Sequence, residues 1–123
     1  MGNNLIKFNF DYSREDDVLI LSRPKGKSKE IIESSDFIIY GLDRKGGLNH
    51  LEISGAKDFF KTIAPKLNLD FLENLESVKL EQKVFRGVNF IVIWIKLKNF
   101  PNFVPQQLPP LYRRYESPLL TNC

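Results

Sequence analysis

The sequence predicts an α+β domain, with three antiparallel β-hairpins forming a sheet or half-barrel, one or two short helices packed on it and an irregular proline-rich tail. Three observations carry this prediction. Apolar and polar residues alternate over 5–12 and 78–84, and 90–97 returns beside the latter as a mostly apolar strand. The spacing switches to three and four residues after Gly55, and five of the seven prolines fall beyond Asn99.

In the first segment Ile6, Phe8, Phe10 and Tyr12 fall on one face and Lys7, Asn9 and Asp11 on the other, the period of a half-buried strand. Ser13-Arg14-Glu15-Asp16 interrupts it, and Asp17-Val18-Leu19-Ile20-Leu21 returns as a short apolar run, giving the first hairpin. Residues 23–29 hold Pro24, Gly26 and four basic side chains with no acidic one, so they form a solvated basic loop. Ile31 and Ile32 make a brief strand or cover the core. The second hairpin runs from Asp36-Phe37-Ile38-Ile39-Tyr40 through Asp43-Arg44-Lys45-Gly46-Gly47, whose glycines suit a turn, back along 48–54.

Ala56, Phe59, Phe60 and Ile63 share one helical face, and Pro65 ends the run. A second short helix is expected over 69–75, where Asp70 and Glu73 have capping-box spacing and Leu72 and Leu75 face inward. Val78, Leu80 and Val84 alternate with Lys79, Glu81 and Lys83, Arg86-Gly87 turns the chain, and 90–97 returns. Both faces of that last strand are largely apolar, which makes it the candidate central strand. Beyond it Pro101, Pro105, Pro109, Pro110 and Pro118 favour extended or polyproline conformation over a sheet. The predicted organisation is one domain over 1–98 and a tail over 99–123. As a docking element, the tail from Pro105 onward is expected to be dispensable for folding.

The 123 residues suit one modest core, and 42% hydrophobic with 27% charged residues is ordinary globular usage. No run approaches the roughly 20 apolar residues of a membrane helix. Met1-Gly2-Asn3-Asn4 lacks the basic and apolar regions of a secretory signal, and Ile6 stands where a myristoylation motif needs Ser or Thr. A cytoplasmic protein is therefore expected. Cys123 is the only cysteine, which excludes an internal disulfide or a multi-cysteine metal site. A net charge of +3 is compatible with weak attraction to nucleic acid or acidic proteins.

Two segments carry a family likeness. Phe10-Asp11-Tyr12-Ser13-Arg14-Glu15-Asp16-Asp17-Val18-Leu19-Ile20-Leu21 is similar to a tyrosine-aspartate, acidic turn and apolar strand. Asp43-Arg44-Lys45-Gly46-Gly47-Leu48-Asn49-His50-Leu51-Glu52-Ile53-Ser54-Gly55-Ala56 is similar to a turn, an Ile-Glu-Ile strand and a helix start. Together they resemble the family named domain of unknown function 2283 over roughly residues 6–60, with His50 where the family usually has glycine and Gly55 where it tends to an acidic or amide residue. The resemblance implies a fold rather than a reaction, and an antitoxin-like or accessory role beside another small protein. Residues 61–98 then form a helix-plus-hairpin elaboration.

No catalytic constellation is legible, and no cofactor or metal site is expected. His50 is the only histidine, has no nucleophile motif beside it and reads as a strand or turn residue. Asp11, Glu15, Asp16 and Asp17 are dense enough to hold a hard cation, but they lack the alternation, glycine bend and terminal glutamate of a calcium loop and read as a solvated hairpin end. Glu52 is expected to face water or pair with a lysine; burial would raise its pKa.

Arg23, Lys25, Lys27 and Lys29, together with Lys57 and Lys61, are the candidate phosphate contacts, with Tyr40 or Trp94 as stacking platforms. Along the chain, however, aromatics and charges are not interleaved. Pro109-Pro110-Leu111-Tyr112 matches a Pro-Pro-x-Tyr ligand of WW domains, and with Tyr115 it forms the candidate partner-docking segment. The sequence thus predicts a non-enzymatic interaction module with a protein partner or a second copy of itself. The alternative is a nucleic-acid-binding accessory protein using loop 23–29.

Overall fold

The computed structural model describes residues 4–24, 26–34, 37–63 and 69–112. Its strands are β1 (Asn4–Ser13), β2 (Val18–Ser22), β3 (Glu30–Glu33), β4 (Ile38–Leu42), β5 (Leu48–Ser54), β6 (Leu75–Phe85), β7 (Val88–Leu97), β8 (Val104–Gln107) and β9 (Leu111–Tyr112). One helix, α1 (Ala56–Ile63), and a 3-10 turn, Leu69–Glu73, complete the described elements. The strands form one antiparallel sheet in the order β3-β4-β5-β2-β1-β6-β7-β8, with β9 also on β7.

The three predicted hairpins are present as β1–β2, β4–β5 and β6–β7, but the α+β class is overturned: the molecule is nearly all sheet, curled into a half-barrel. Among the described residues α1 is the only α-helix, and the second expected helix is a single 3-10 turn. The tail is not irregular either. β8 and β9 pair with β7, and Leu108 and Leu111 are only 1% and 2% exposed. Proline hid β8 from the sequence reading. Leu108 N donates to Ile91 O, and this parity leaves Pro105, opposite Trp94, at a position whose N–H would point away from β7 on the sheet's edge. A missing donor there costs the ladder nothing.

β1 is shared between two leaves. Its first half pairs with β6 from Asn4 to Phe8, and its second half pairs with β2 from Asn9 to Ser13. The inner faces of both leaves meet in one core that runs from Phe8 on β1 through Tyr40, Leu51 and Ile93 to Leu111. Two polar links close the curl. Tyr40 Oη donates to Pro109 O at 3.4 Å, joining β4 to the β8–β9 connection. Gln82 on β6 accepts from Leu48 N at 2.7 Å and donates to Gly46 O at 3.1 Å and Asn89 Oδ1 at 2.6 Å.

α1 follows Gly55, whose positive φ of 64° turns the chain out of β5. Phe60 packs edge-on against both Phe59 and Phe71 with centroids 5.2 Å apart, which seats the helix on the 3-10 turn. Among the described residues no helix is long and apolar enough to cross a membrane.

Candidate binding surface

In β7 every second residue from Asn89 to Leu97 is buried, so Phe90, Val92, Trp94 and Lys96 stand on the outer face, half-buried. The β6–β7 register sets Lys83 opposite Phe90, Glu81 opposite Val92 and Lys79 opposite Trp94. Arg86 and Gly87 hold that register. Their φ values of 53° and 81° make the two-residue turn that matches strand twist, and it joins the paired Phe85 and Val88. On the other side of β6, Lys7 lies opposite Lys79 and Leu5 opposite Glu81.

The result is an outer face on which lysines and aromatic rings alternate in space. Lys79 Nζ stands 4.8 Å from the centroid of the Phe103 ring, a cation–π contact. Trp94 Nε1 donates to Glu81 Oε1 at 3.2 Å, which orients the indole, and Lys96 Nζ binds Glu76 Oε1 at 3.0 Å. Glu81 is only 8% exposed, so lysine ammonium groups dominate what this part of the face presents to solvent. Trp94, a predicted stacking platform, is therefore on an accessible face. Tyr40, the other one, is 0% exposed in the core and cannot stack on a ligand; burial pushes its phenol up to about 12.

The basic loop is held by hydrogen bonds to β4 and β5. Arg23 N donates to Asn49 O, Lys29 N to Leu42 O and Ser28 Oγ to Asn49 Oδ1 at 2.7 Å. Asn49 lies where the β4–β5 register shifts, a bulge that turns its side chain to the loop. The loop lies so close to β4 that a Cβ on Gly41 would run into Ser28 Oγ and come within 2.8 Å of His50 Cβ. Lys27 and Lys29 are exposed and Arg23 is half-buried, whereas Lys25 lies outside the described residues. Lys57 and Lys61 do not join them: they sit on α1, beyond the other end of β5, about 20 Å of strand away.

His50 and Glu52 share the outer face of the first leaf, with His50 Nε2 3.0 Å from Glu52 Oε2, so the glutamate's partner is a histidine and not a lysine. The acidic hairpin end is divided in its uses. Asp16 Oδ2 accepts from Ser13 Oγ at 3.3 Å, while Asp17 serves α1: its carbonyl accepts from Ala56 N, and its carboxylate accepts from Lys57 N at 3.1 Å and from Tyr12 Oη at 2.5 Å. Burial, together with this bond to a carboxylate, pushes the Tyr12 phenol upward. Among the described residues no three His, Cys, Asp or Glu side chains are grouped to hold a metal.

Two clefts flank β1 where its partners part. One, of about 340 Å³, lies between Tyr12 and Leu72 with Arg14 bound to Glu73 at 3.4 Å. The other, of about 150 Å³, lies between Phe8 and Leu48. Of the predicted docking segment, Pro109 is exposed, Pro110 is half-buried and Leu111 is in the core. The Tyr112 backbone pairs with Val88, and Tyr115 lies outside the described residues. No family model, curated protein or solved structure matches the chain.

Proposed function

We propose that this chain is a non-enzymatic interaction module whose working surface is the outer face of the second leaf. The observation that carries the reading is the row of Phe90, Val92 and Trp94 along β7, flanked by exposed Leu5 and half-buried Phe103. These large apolar groups stand outside the core beside Lys79, Glu81 and Lys83 of β6, and exposed apolar groups gathered on one face mark a binding surface. The likeness of residues 10–21 and 43–56 to the domain of unknown function 2283 family supports an accessory, antitoxin-like role by analogy. A cytoplasmic setting belongs to the same reading, supported by the single cysteine.

The second reading, nucleic-acid binding by loop 23–29, is supported by the way Asn49 and Gly41 hold Lys27 and Lys29 out from the sheet. A photo-crosslinking residue at position 92, compared with one at position 20 on the outer face of the first leaf, tests the main reading in the protein's own cells. A specific adduct from position 92 alone is expected. Adducts from neither position, or equally from both, contradict it.

A further inference from the structure

We infer that the outer face of the second leaf binds single-stranded nucleic acid, with Phe90, Trp94 and Phe103 as base-stacking platforms and Lys7, Lys79 and Lys83 as phosphate contacts. This rests on the proposed working surface and names its ligand. A protein-binding face loses its charges toward the centre and collects them at the rim. Here the lysines are in the middle, each directly across from a ring: Lys83 from Phe90 and Lys79 from Trp94, with Lys7 next in line. The two lysine–aromatic pairs are four residues apart on their strands, about 13 Å. A ligand lying along β7 meets a ring and a cation together, then again one short step further on.

That arrangement suits a chain whose units each present a flat base and an anionic phosphate. Open sheet faces bind single strands by stacking bases on aromatic side chains, with cations tracking the backbone. A duplex, whose bases are already stacked, cannot use the rings. An acidic peptide could satisfy the lysines but offers nothing regular to Phe90, Trp94 and Phe103. Glu81 is a single carboxylate, nearly buried and engaged with the indole N–H, and Lys7, Lys79 and Lys83 outnumber it, so the face stays net positive. Fixing the ring in this way reduces the ordering left to be done on binding.

Trp94 is the only tryptophan, so its fluorescence reports on this face directly. The experiment titrates the full chain with a short oligouridylate, the matching oligothymidylate, a DNA duplex of the same length and poly-aspartate, at several salt concentrations. Saturable quenching by both single strands, and weaker binding of the duplex and the peptide, is expected. Lys79→Ala with Lys83→Ala should lower the slope of log K against log salt by about 1.4, at about 0.7 per phosphate contact. Phe90→Leu, which keeps an apolar side chain and removes the π-face, should weaken binding about 5- to 150-fold while leaving the slope unchanged. Phe90→Tyr should restore it, and an unchanged thermal midpoint in Phe90→Leu separates lost stacking from lost folding. Lys27→Glu with Lys29→Glu should have little effect.

The inference is overturned by absence of quenching at low salt, by a duplex or poly-aspartate binding as tightly as the single strands, or by sensitivity confined to Lys27 and Lys29. A protein adduct from position 92 combined with no oligonucleotide binding would remove the ligand assignment and leave the working surface standing.

Discussion

Asp17 illustrates how much one side chain decides. It sits at φ 55°, a left-handed conformation that Asp and Asn adopt more readily than other side chains. From there it binds the first turn of α1 and the Tyr12 hydroxyl. Asp17→Ala should therefore cost about 2 kcal/mol, the upper range for a lost cap, and Asp17→Asn clearly less, as read by urea denaturation. Equal losses would show that the carboxylate does not cap the helix.

The tyrosines give a pH signature. A free phenol ionises near 10, so between about pH 10 and 12 the unfolded chain releases the Tyr40 proton while the folded chain keeps it. Stability is thus fully present below pH 10 and falls as pH rises through that window. Tyr12 is shifted in the same direction and adds to the fall. In Tyr40→Phe the alkaline decline should be shallower, and an unchanged decline would mean that Tyr40 is not buried in its neutral form. None of this residue-level pairing was legible beforehand, because Tyr12 and Asp17 look like parts of a solvated hairpin end until the chain after Gly55 is brought beside them.

At the scale of elements, the three hairpins were legible because each combines alternation with a turn that needs its own residues. Arg86-Gly87 and the Asp43 turn, where Asp43 Oδ1 accepts from Lys45 N and Gly47 N, are local chemistry. α1 was legible for the same reason. β8 and β9 were not, since proline density signals an absence of ladder only when the strand is internal. The correction has a consequence for stability: Leu108 and Leu111 are core residues, so Leu111→Ala should cost about 2–5 kcal/mol. Deleting residues 105–123 should cost more still, in contrast to the dispensable tail that the sequence implies. A thermal midpoint unchanged by either alteration would refute the place of β8 and β9 in the fold. Gly41 makes the corresponding case for the basic loop. Gly41→Ala should displace Ser28 and raise the hydrogen-exchange rate of the Lys29 amide, which bonds to Leu42 O. An unaltered rate would mean that the loop is held elsewhere.

For the whole molecule, the decisive step is the division of β1 between two leaves. Both halves alternate alike, so nothing in residues 4–13 announces where one partner gives way to the other. Yet this crossing is what lets one strand feed a common core from both sides. Gln82 ties the leaves together with two hydrogen bonds, to Leu48 N and Gly46 O, and a third holds Asn89 on β7; Gln82→Leu leaves several partners unpaired, and a loss of about 2–3 kcal/mol is expected in the same denaturation assay. The working surface was hidden for a similar reason. Lys83 and Phe90, or Lys79 and Trp94, lie on opposite arms of a hairpin and meet only once the β6–β7 register is fixed, whereas the conspicuous basic run at 23–29 advertises itself in sequence.

The most direct test of the central claim is an amide and indole chemical-shift map of the labelled protein titrated with oligouridylate. Shifts concentrated at Lys79, Lys83, Phe90 and the Trp94 indole N–H, with residues 26–29 unmoved, are the predicted result. Shifts confined to residues 26–29, or none at low salt, would contradict it.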